Sequence, residues 1–537
     1  MQLSYSGLSD REGWAKSGVV LPATDWKNMA ERTMEEPVWI HFGAGNIFRG
    51  FIAGLQQRLL DSGDACTGII AAETYDFEII DRIYDPHDSM TLMVSLKPDG
   101  STDRNIIASI ARGIRADSSN SGEWDLLASL FRKPSLQMIS FTITEKGYSL
   151  RGMNGNLLPA ASWDMEHGPA YARHAMGVVA AMMYERFQAG RYPLALVSMD
   201  NCSHNGEKLR TGVMEIVRTW ADKGMVPADF VSYMEDESQV SFPWSMIDKI
   251  TPRPADVILQ QLTADGIEDM APVITEKRTY IAPFVNAEVP QYLVIEDRFP
   301  AGRPALEKAG VYMTDRDTVN RTERMKVTTC LNPLHTALAV YGCLLGYTLI
   351  ADEMKDPDLT ELVNRIGYQE GLPVVTNPGI IEPRAFIDEV ITQRLPNVFM
   401  PDTPQRIATD TSQKVGIRFG ETIKSYMQDP ARDAASLRAI PLAIAGWLRY
   451  LMGVDDNGQP MELSPDPMLP ALQEAMKDIV FGDPSSVQDR LDPILTNPAI
   501  FGVSLADAGL AGLVRDIFCA QIAAPGAVRA TLHARLS

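Results

Sequence analysis

Apolar positions change their rhythm along this chain. In the first half they gather in short unbroken runs that close on glycine or polar residues; from about Asp315 onward they recur at helical spacing. Val38-Trp39-Ile40-His41-Phe42 predicts a buried strand that runs into Gly43-Ala44-Gly45. Behind the glycines, Phe48, Phe51, Ile52, Leu55 and Leu59 lie near helical spacing, and Ser62-Gly63 ends that helix. Gly68 to Glu73 predicts a second buried strand, completing a strand–turn–helix–strand unit that opens a parallel sheet. Further strands are expected at 137–144 and 194–199, with the polar tails Thr144-Glu145-Lys146-Gly147 and Asp200-Asn201. Ligands of open parallel sheets sit beyond the carboxyl ends of the strands, so these tails are where chemistry is sought. Residues 279–296 alternate enough to predict an extended connection between domains, and Leu437 to Trp447 predicts a core helix apolar nearly all round.

At 537 residues the chain exceeds what one core usually serves. The pattern divides into a leader (1–36), a first domain (37–297) and a second domain (298–537). Apolar residues at 45% and charged residues at 22% fit an ordinary globular protein. No uncharged apolar run is long enough to span a bilayer, and Asp10, Arg11, Glu12 and Lys16 have no apolar stretch behind them. The expectation is a cytoplasmic protein with no membrane partner. Five dispersed cysteines (Cys66, Cys202, Cys330, Cys343, Cys519) contain no Cys-x-x-Cys pair, which implies neither a disulfide framework nor a zinc ribbon. A net charge of −20 disfavours nucleic acid as a partner. It also requires any anionic substrate to be met by local cations.

The turn Gly43-x-Gly45-x-x-Phe48 fits a dinucleotide fingerprint except at its last position. The first glycine permits the tight turn, and the second lets the backbone approach a pyrophosphate. Asn46, Ile47, Phe48 and Arg49 then open a helix whose unpaired N–H groups face the anion. Phe48 stands where a third glycine usually allows close helix-to-strand packing. Glu73 closes the second strand, where an acidic side chain would accept hydrogen bonds from the adenosine ribose and favour NAD over its 2′-phosphorylated form. It lies somewhat farther on than the usual spacing of about 20 residues. Asp76 is a rival for that role, and a solvated loop glutamate is the plainer reading.

Lys326 to His335 places an amine, a carboxamide and an imidazole just ahead of an apolar helix. Asn332-Pro333 predicts a helix start, with Asn332 as N-cap and Pro333 at the first helical position. His335 then lies on the first turn, and Lys326 precedes the cap. A lysine base must lose its proton first, through desolvation helped by nearby cations. A neutral Lys326 can take a hydroxyl proton while hydride leaves the same carbon, with Asn332 stabilising the alkoxide and His335 holding a substrate hydroxyl. The residues also admit a plain reading: a cap, a helix-start histidine and a surface lysine.

Several ordered motifs together carry a family resemblance. His41-Phe42-Gly43-Ala44-Gly45-Asn46-Ile47-Phe48-Arg49-Gly50-Phe51, Thr142-Ile143-Thr144-Glu145-Lys146-Gly147-Tyr148, Ser198 to Gly206, Phe299 to Pro304, the lysine-to-histidine stretch and Ser436 to Tyr450 follow one another in order. The chain resembles the mannitol dehydrogenase family of polyol-specific long-chain dehydrogenases over roughly residues 38 to 455. The resemblance implies an α/β Rossmann-type N-terminal domain, a mostly α-helical C-terminal domain, a cleft between them, NAD as cofactor and no metal. It implies Lys326 as the base, Asn201 and Asn332 as the oxyanion pocket and His335 as substrate-orienting. Asp200, Asn201 and Thr144 fall on the strand ends facing the cofactor. Arg406 and Lys414 keep the family's spacing for a substrate-binding arginine and lysine. One departure stands out: Asn332 and His335 each follow Lys326 by one residue more than is usual in the family.

Among family members the pattern is most similar to those interconverting D-fructuronate and D-mannonate, so that reaction is the expectation. Lys249, Arg253, Arg406 and Lys414 are cations available to a sugar carboxylate. The alternatives are a neutral polyol/ketose oxidoreductase of the mannitol 2-dehydrogenase kind, an epimerase holding NAD tightly, and a nucleotide sensor. Family resemblance further implies a monomer or weak homo-oligomer acting on a small sugar acid or polyol.

Overall fold

The computed structural model describes residues 1–152 and 154–537. They form two compact units: Met1–Leu96 with Ser101–Asn320, and Lys97–Gly100 with Arg321–Ser537.

The first unit is built on a six-stranded sheet. Its strands in chain order are β1 (Trp39–Phe42), β2 (Ile69–Glu73), β3 (Ile110–Arg115), β4 (Met138–Phe141), β5 (Leu194–Ser198) and β6 (Val240–Ser241). Their spatial order is β3-β2-β1-β4-β5-β6, and every pairing is parallel. This is the doubly wound dinucleotide-binding order, which reverses direction between β1 and β4. Every residue of β1, β2, β4 and β5 is buried, which is why these strands read as unbroken apolar runs rather than alternating ones. Behind β1 the chain makes a π-helical turn, Phe48–Ile52, and continues into α1 (Ala53–Asp61); Ser62 caps it and Gly63 follows at φ +78°.

Two expectations about domain limits are corrected here. Residues 279–296 do not connect domains: Phe284–Glu288 pairs with Thr91–Leu96, and Tyr292–Glu296 pairs with Ser245–Asp248. The division falls at 320/321 rather than 297/298, because Tyr312–Thr314 pairs in parallel with Tyr292–Glu296 and so belongs to the first unit. The leader is also part of this unit: Val19–Val20 pairs with Thr102–Ile107, and Trp14 is fully buried.

The second unit is mostly helical. At its core are α2 (Asn332–Leu345) and α3 (Ala439–Tyr450); every residue of α3 is buried, as its all-round apolar sequence predicts. Among the described residues, no helix is long and apolar enough to cross a membrane.

Candidate functional site

In the first unit the nucleotide turn is built from β1 outward. Gly43 sits at φ +101°, and a Cβ there would lie 2.4 Å from the Thr142 carbonyl oxygen, so only glycine fits. Around Gly45 a Cβ would meet nothing within 4 Å; the backbone there stands open to a ligand. Asn46 and Ile47, both half-buried, begin the helix, and the Asn46 Oδ1 is buried with no hydrogen-bond partner among the described residues. A glycine needed for packing and a second with open space, just ahead of a helix start, together fit a pyrophosphate-bearing nucleotide.

Two side chains of this motif turn away from it. Phe48 is fully buried and stacks on His41 with ring centroids 4.1 Å apart, filling the space a third glycine would leave empty. His41 is itself held between Ser140 Oγ (2.6 Å) and Thr142 Oγ1 (2.8 Å), and burial pushes its pKa well down. Arg49 is 1% exposed and donates to Thr91 Oγ1 and the Pro283 carbonyl, each at 3.0 Å. Its guanidinium therefore faces the unit's interior, which corrects its assignment as a cofactor contact.

Glu73 is not a solvated loop residue, being 6% exposed. Its Oε2 accepts from the Ala44 N–H at 2.8 Å, and its Oε1 accepts from the N–H groups of Thr74, Tyr75 and Asp76. Burial raises its pKa, and the four amides oppose that rise. The carboxylate thus locks the glycine turn to the loop after β2. Asp76, also buried, accepts from Thr275 Oγ1 at 2.6 Å, while its Oδ1 has no partner among the described residues.

The tails of β4 and β5 are clamped together by Asp200. Its Oδ2 accepts from the Ile143 N–H (2.9 Å) and the Tyr148 hydroxyl (2.6 Å), and its Oδ1 from the Thr144 N–H (3.0 Å). Burial raises the Asp200 pKa against these bonds. Thr144 is held at φ +65°, a strained position for a β-branched residue and one typical of functional strand ends. Asn201 follows, exposed. Asn205, which sequence reasoning passed over as part of a motif, is 1% exposed and binds the Asp200 and Ser245 carbonyls, each at 3.0 Å. It fixes the tail on which Asn201 stands. Arg253 is exposed in the loop ahead of helix Asp256–Ala264, and Lys249 donates to the Glu288 carbonyl.

In the second unit, Lys326 opens a π-helical turn, Lys326–Cys330, and is 2% exposed, so it is not a surface lysine. The Leu331 N–H reaches back five residues to the Lys326 carbonyl at 3.1 Å. A π turn holds one residue more than an α turn, which accommodates the extra residue between Lys326 and Asn332 within a continuing helix. Asn332 does not cap α2: Leu331 occupies that position, and Asn332 is the first helical residue, half-exposed, with Pro333 beside it. The π turn carries the helical run up to the cap, so no side-chain cap is required.

His335 stands on the first turn of α2. Its Nε2 is buried, 3.6 Å from Asp402 Oδ2 and without a hydrogen-bond partner among the described residues. Burial pushes its pKa down to about 4; Asp402 opposes this, while Arg418, Arg406 and Arg394 add to it. The imidazole is neutral at ordinary pH, with one ring nitrogen available to a hydroxyl. Arg406 is exposed and ion-paired to Asp402, and Lys414, half-buried, donates to the Thr409 carbonyl. Burial, then Arg418, lowers the Lys414 pKa. Sequence reasoning missed Arg418 and Asp402; the signal for Arg418 is its i, i+4 spacing from Lys414.

The sheet order and glycine turn define a Rossmann-type dinucleotide-binding fold joined to a helical unit. Two family models match: the mannitol dehydrogenase Rossmann domain over residues 38–308 and the mannitol dehydrogenase C-terminal domain over 318–516. The chain belongs to the mannitol dehydrogenase family. It is 53% identical to a D-mannonate oxidoreductase of Thermotoga maritima over 99% of its own length and 98% of the relative's. Among solved structures it is similar to Pseudomonas fluorescens mannitol 2-dehydrogenase in a ternary complex with NAD and D-mannitol: TM-score 0.69, 25% identity, 100% of this chain and 99% of that one. A substrate-free D-sorbitol dehydrogenase shares the fold, with TM-score 0.78 and 24% identity over 96% and 97% of the two chains.

Proposed function

We propose that this protein interconverts D-fructuronate and D-mannonate with NAD(H). The observation that carries the reading is the near full-length likeness to a D-mannonate oxidoreductase, in a chain whose Lys326 is buried one short turn ahead of Asn332 and His335.

The Gly43–Asn46 turn binds the nucleotide's pyrophosphate, with Glu73 holding the turn in shape. Bound there, the nicotinamide accepts or supplies a hydride. In the oxidative direction Lys326 takes the proton of the substrate hydroxyl, and in the reductive direction it returns that proton to the carbonyl oxygen. The carboxamides of Asn332 and Asn201 donate to the developing alkoxide. Neutral His335 bonds a neighbouring hydroxyl and orients the sugar chain, and Lys414 and Arg406 bind substrate beside it. Arg253 is the weakest of the assigned contacts, since it stands in an exposed loop.

A second reading, reduction of a neutral ketose, is favoured by the structural likeness to a mannitol 2-dehydrogenase. A substrate panel decides between them. With NADH, purified protein is expected to reduce D-fructuronate with kcat/KM at least about tenfold above that for D-fructose, a margin of about 1.4 kcal/mol. A preference for fructose reassigns the enzyme to the neutral-polyol class. Uronate isomerisation without added NADH marks an epimerase instead.

A further inference from the structure

Arg418 lies on a π-helical turn, Gly416–Gly420, that continues into helix Glu421–Gln428. Its main-chain N–H donates to the Lys414 carbonyl at 2.8 Å, so it follows Lys414 by one turn. Its side chain is half-buried, and its Nη1 donates to Thr336 Oγ1. The Thr336 hydroxyl in turn donates to the Asn332 carbonyl at 2.9 Å. The guanidinium is thereby tethered to the first turn of α2, at the residue between Asn332's carbonyl and the next turn and directly adjacent in sequence to His335.

Several cations of this unit are paired with acids, whereas Lys414 donates to a carbonyl and Arg418 to a hydroxyl. Arg406 pairs with Asp402, Arg324 and Lys424 pair with Glu421, and Arg432 pairs with Asp429. Among the described residues no carboxylate lies within 4.0 Å of Arg418. A half-buried guanidinium without a counter-charge is costly, and here burial brings its pKa down to about 10. In a chain of net charge −20, such an unmatched cation beside the candidate catalytic histidine runs against the overall trend. A guanidinium has five N–H donors, and the side chain spends one on Thr336. The remainder form a planar fork of the shape that accepts a carboxylate bidentately.

We propose that Arg418 binds the carboxylate of the hexuronate and separates sugar acids from neutral ketoses. This rests on the sugar-acid reading given under the proposed function. Arg406, already committed to Asp402, and Lys414, whose ammonium is committed to a backbone carbonyl, serve the hydroxyl-bearing part of the chain common to both substrate classes.

The test compares wild type, R418Q and R418K in steady-state kinetics with NADH and either D-fructuronate or D-fructose. In R418Q the KM for fructuronate is expected to rise about 10- to 100-fold, the range for a lost charge-assisted hydrogen bond. The fructuronate-to-fructose ratio of kcat/KM falls by a similar factor. R418K, which keeps the charge but loses the fork, falls between the two. Equal losses on both substrates, or a fall in kcat at unchanged fructuronate KM, overturn the assignment and leave Arg418 as a strut between its turn and α2. Should R418Q fail to fold, R418K carries the same comparison, and an unchanged ratio there overturns the proposal equally. A wild-type enzyme that prefers fructose defeats the sugar-acid reading itself, before any variant is considered.

Discussion

Lys326 is the base of the proposed reaction, and its burial is a tertiary fact. The sequence places it ahead of a helix start and says nothing about which way that segment faces. Replacing it with methionine fills the same space without a proton acceptor. Lys326→Met is expected to lower kcat/KM by about 10²- to 10⁴-fold, the usual worth of a general base, while NADH affinity measured by fluorescence stays within a few-fold of wild type. Retained turnover excludes it as the base. Lysine, asparagine and histidine were legible as a group because they are close in sequence. Arg418 and Asp402 were not, because their relation to His335 exists only once the π turn Gly416–Gly420 and the segment leading into helix Pro404–Ile407 pack against α2. Arg49 shows the reverse failure: the motif's spacing points it at a ligand, but the helix start turns it inward onto Thr91 and Pro283.

Among the elements, the turn after β1 makes the sharpest distinction. Gly43 is a packing glycine and Gly45 a clearance glycine, although both look alike in the sequence. Gly43→Ala is expected to cost more than about 1 kcal/mol, because φ is positive and the Thr142 carbonyl blocks a Cβ, and to lower the melting temperature. Gly45→Ala is expected to leave melting of the free protein unchanged yet weaken NADH roughly tenfold, about 1.4 kcal/mol. Loss of stability in both variants, with no separate effect on NADH, contradicts this division. Glu353, on helix Ile350–Glu353 against α2, is fully buried, and neither carboxyl oxygen has a hydrogen-bond partner among the described residues. A Cβ on Gly342 would lie 2.0 Å from its Oε1. Burial, aided by Asp356, pushes its pKa up to about 9 from 4.5. Between those values the folded state holds a proton that the unfolded chain has released, so this group makes stability fall as pH rises, by up to about 1.4 kcal/mol per pH unit. Glu353→Gln removes that slope. Its melting temperature relative to wild type is expected to climb between pH 5 and pH 8.5, and a constant difference across that range would show that Glu353 titrates normally.

For the whole molecule, the net charge of −20 frames the substrate question, because an anionic sugar acid must be met by a locally positive surface. The sequence offered four cations for that task. The structure divides them between the two units, with Lys249 and Arg253 in the first and Arg406 and Lys414 in the second, and adds Arg418. The limits of the units show the same division of labour. Strand Tyr312–Thr314 is too short to read in a sequence, yet its pairing carries the first unit on to residue 320. The sequence by itself determined the strand–turn–helix opening of the sheet, the wholly buried parallel strands, the helical second half and the order of the family's motifs. All of these are properties of local periodicity and short spacing. Only the tertiary structure decided which polar groups are consumed by the fold and which are left for a ligand: Glu73 spent on four backbone amides, His335 left with an unpartnered nitrogen, Arg418 without an acid. Hydrogen bonds and desolvation depend on neighbours brought together from distant parts of the chain, and no local pattern encodes those neighbours.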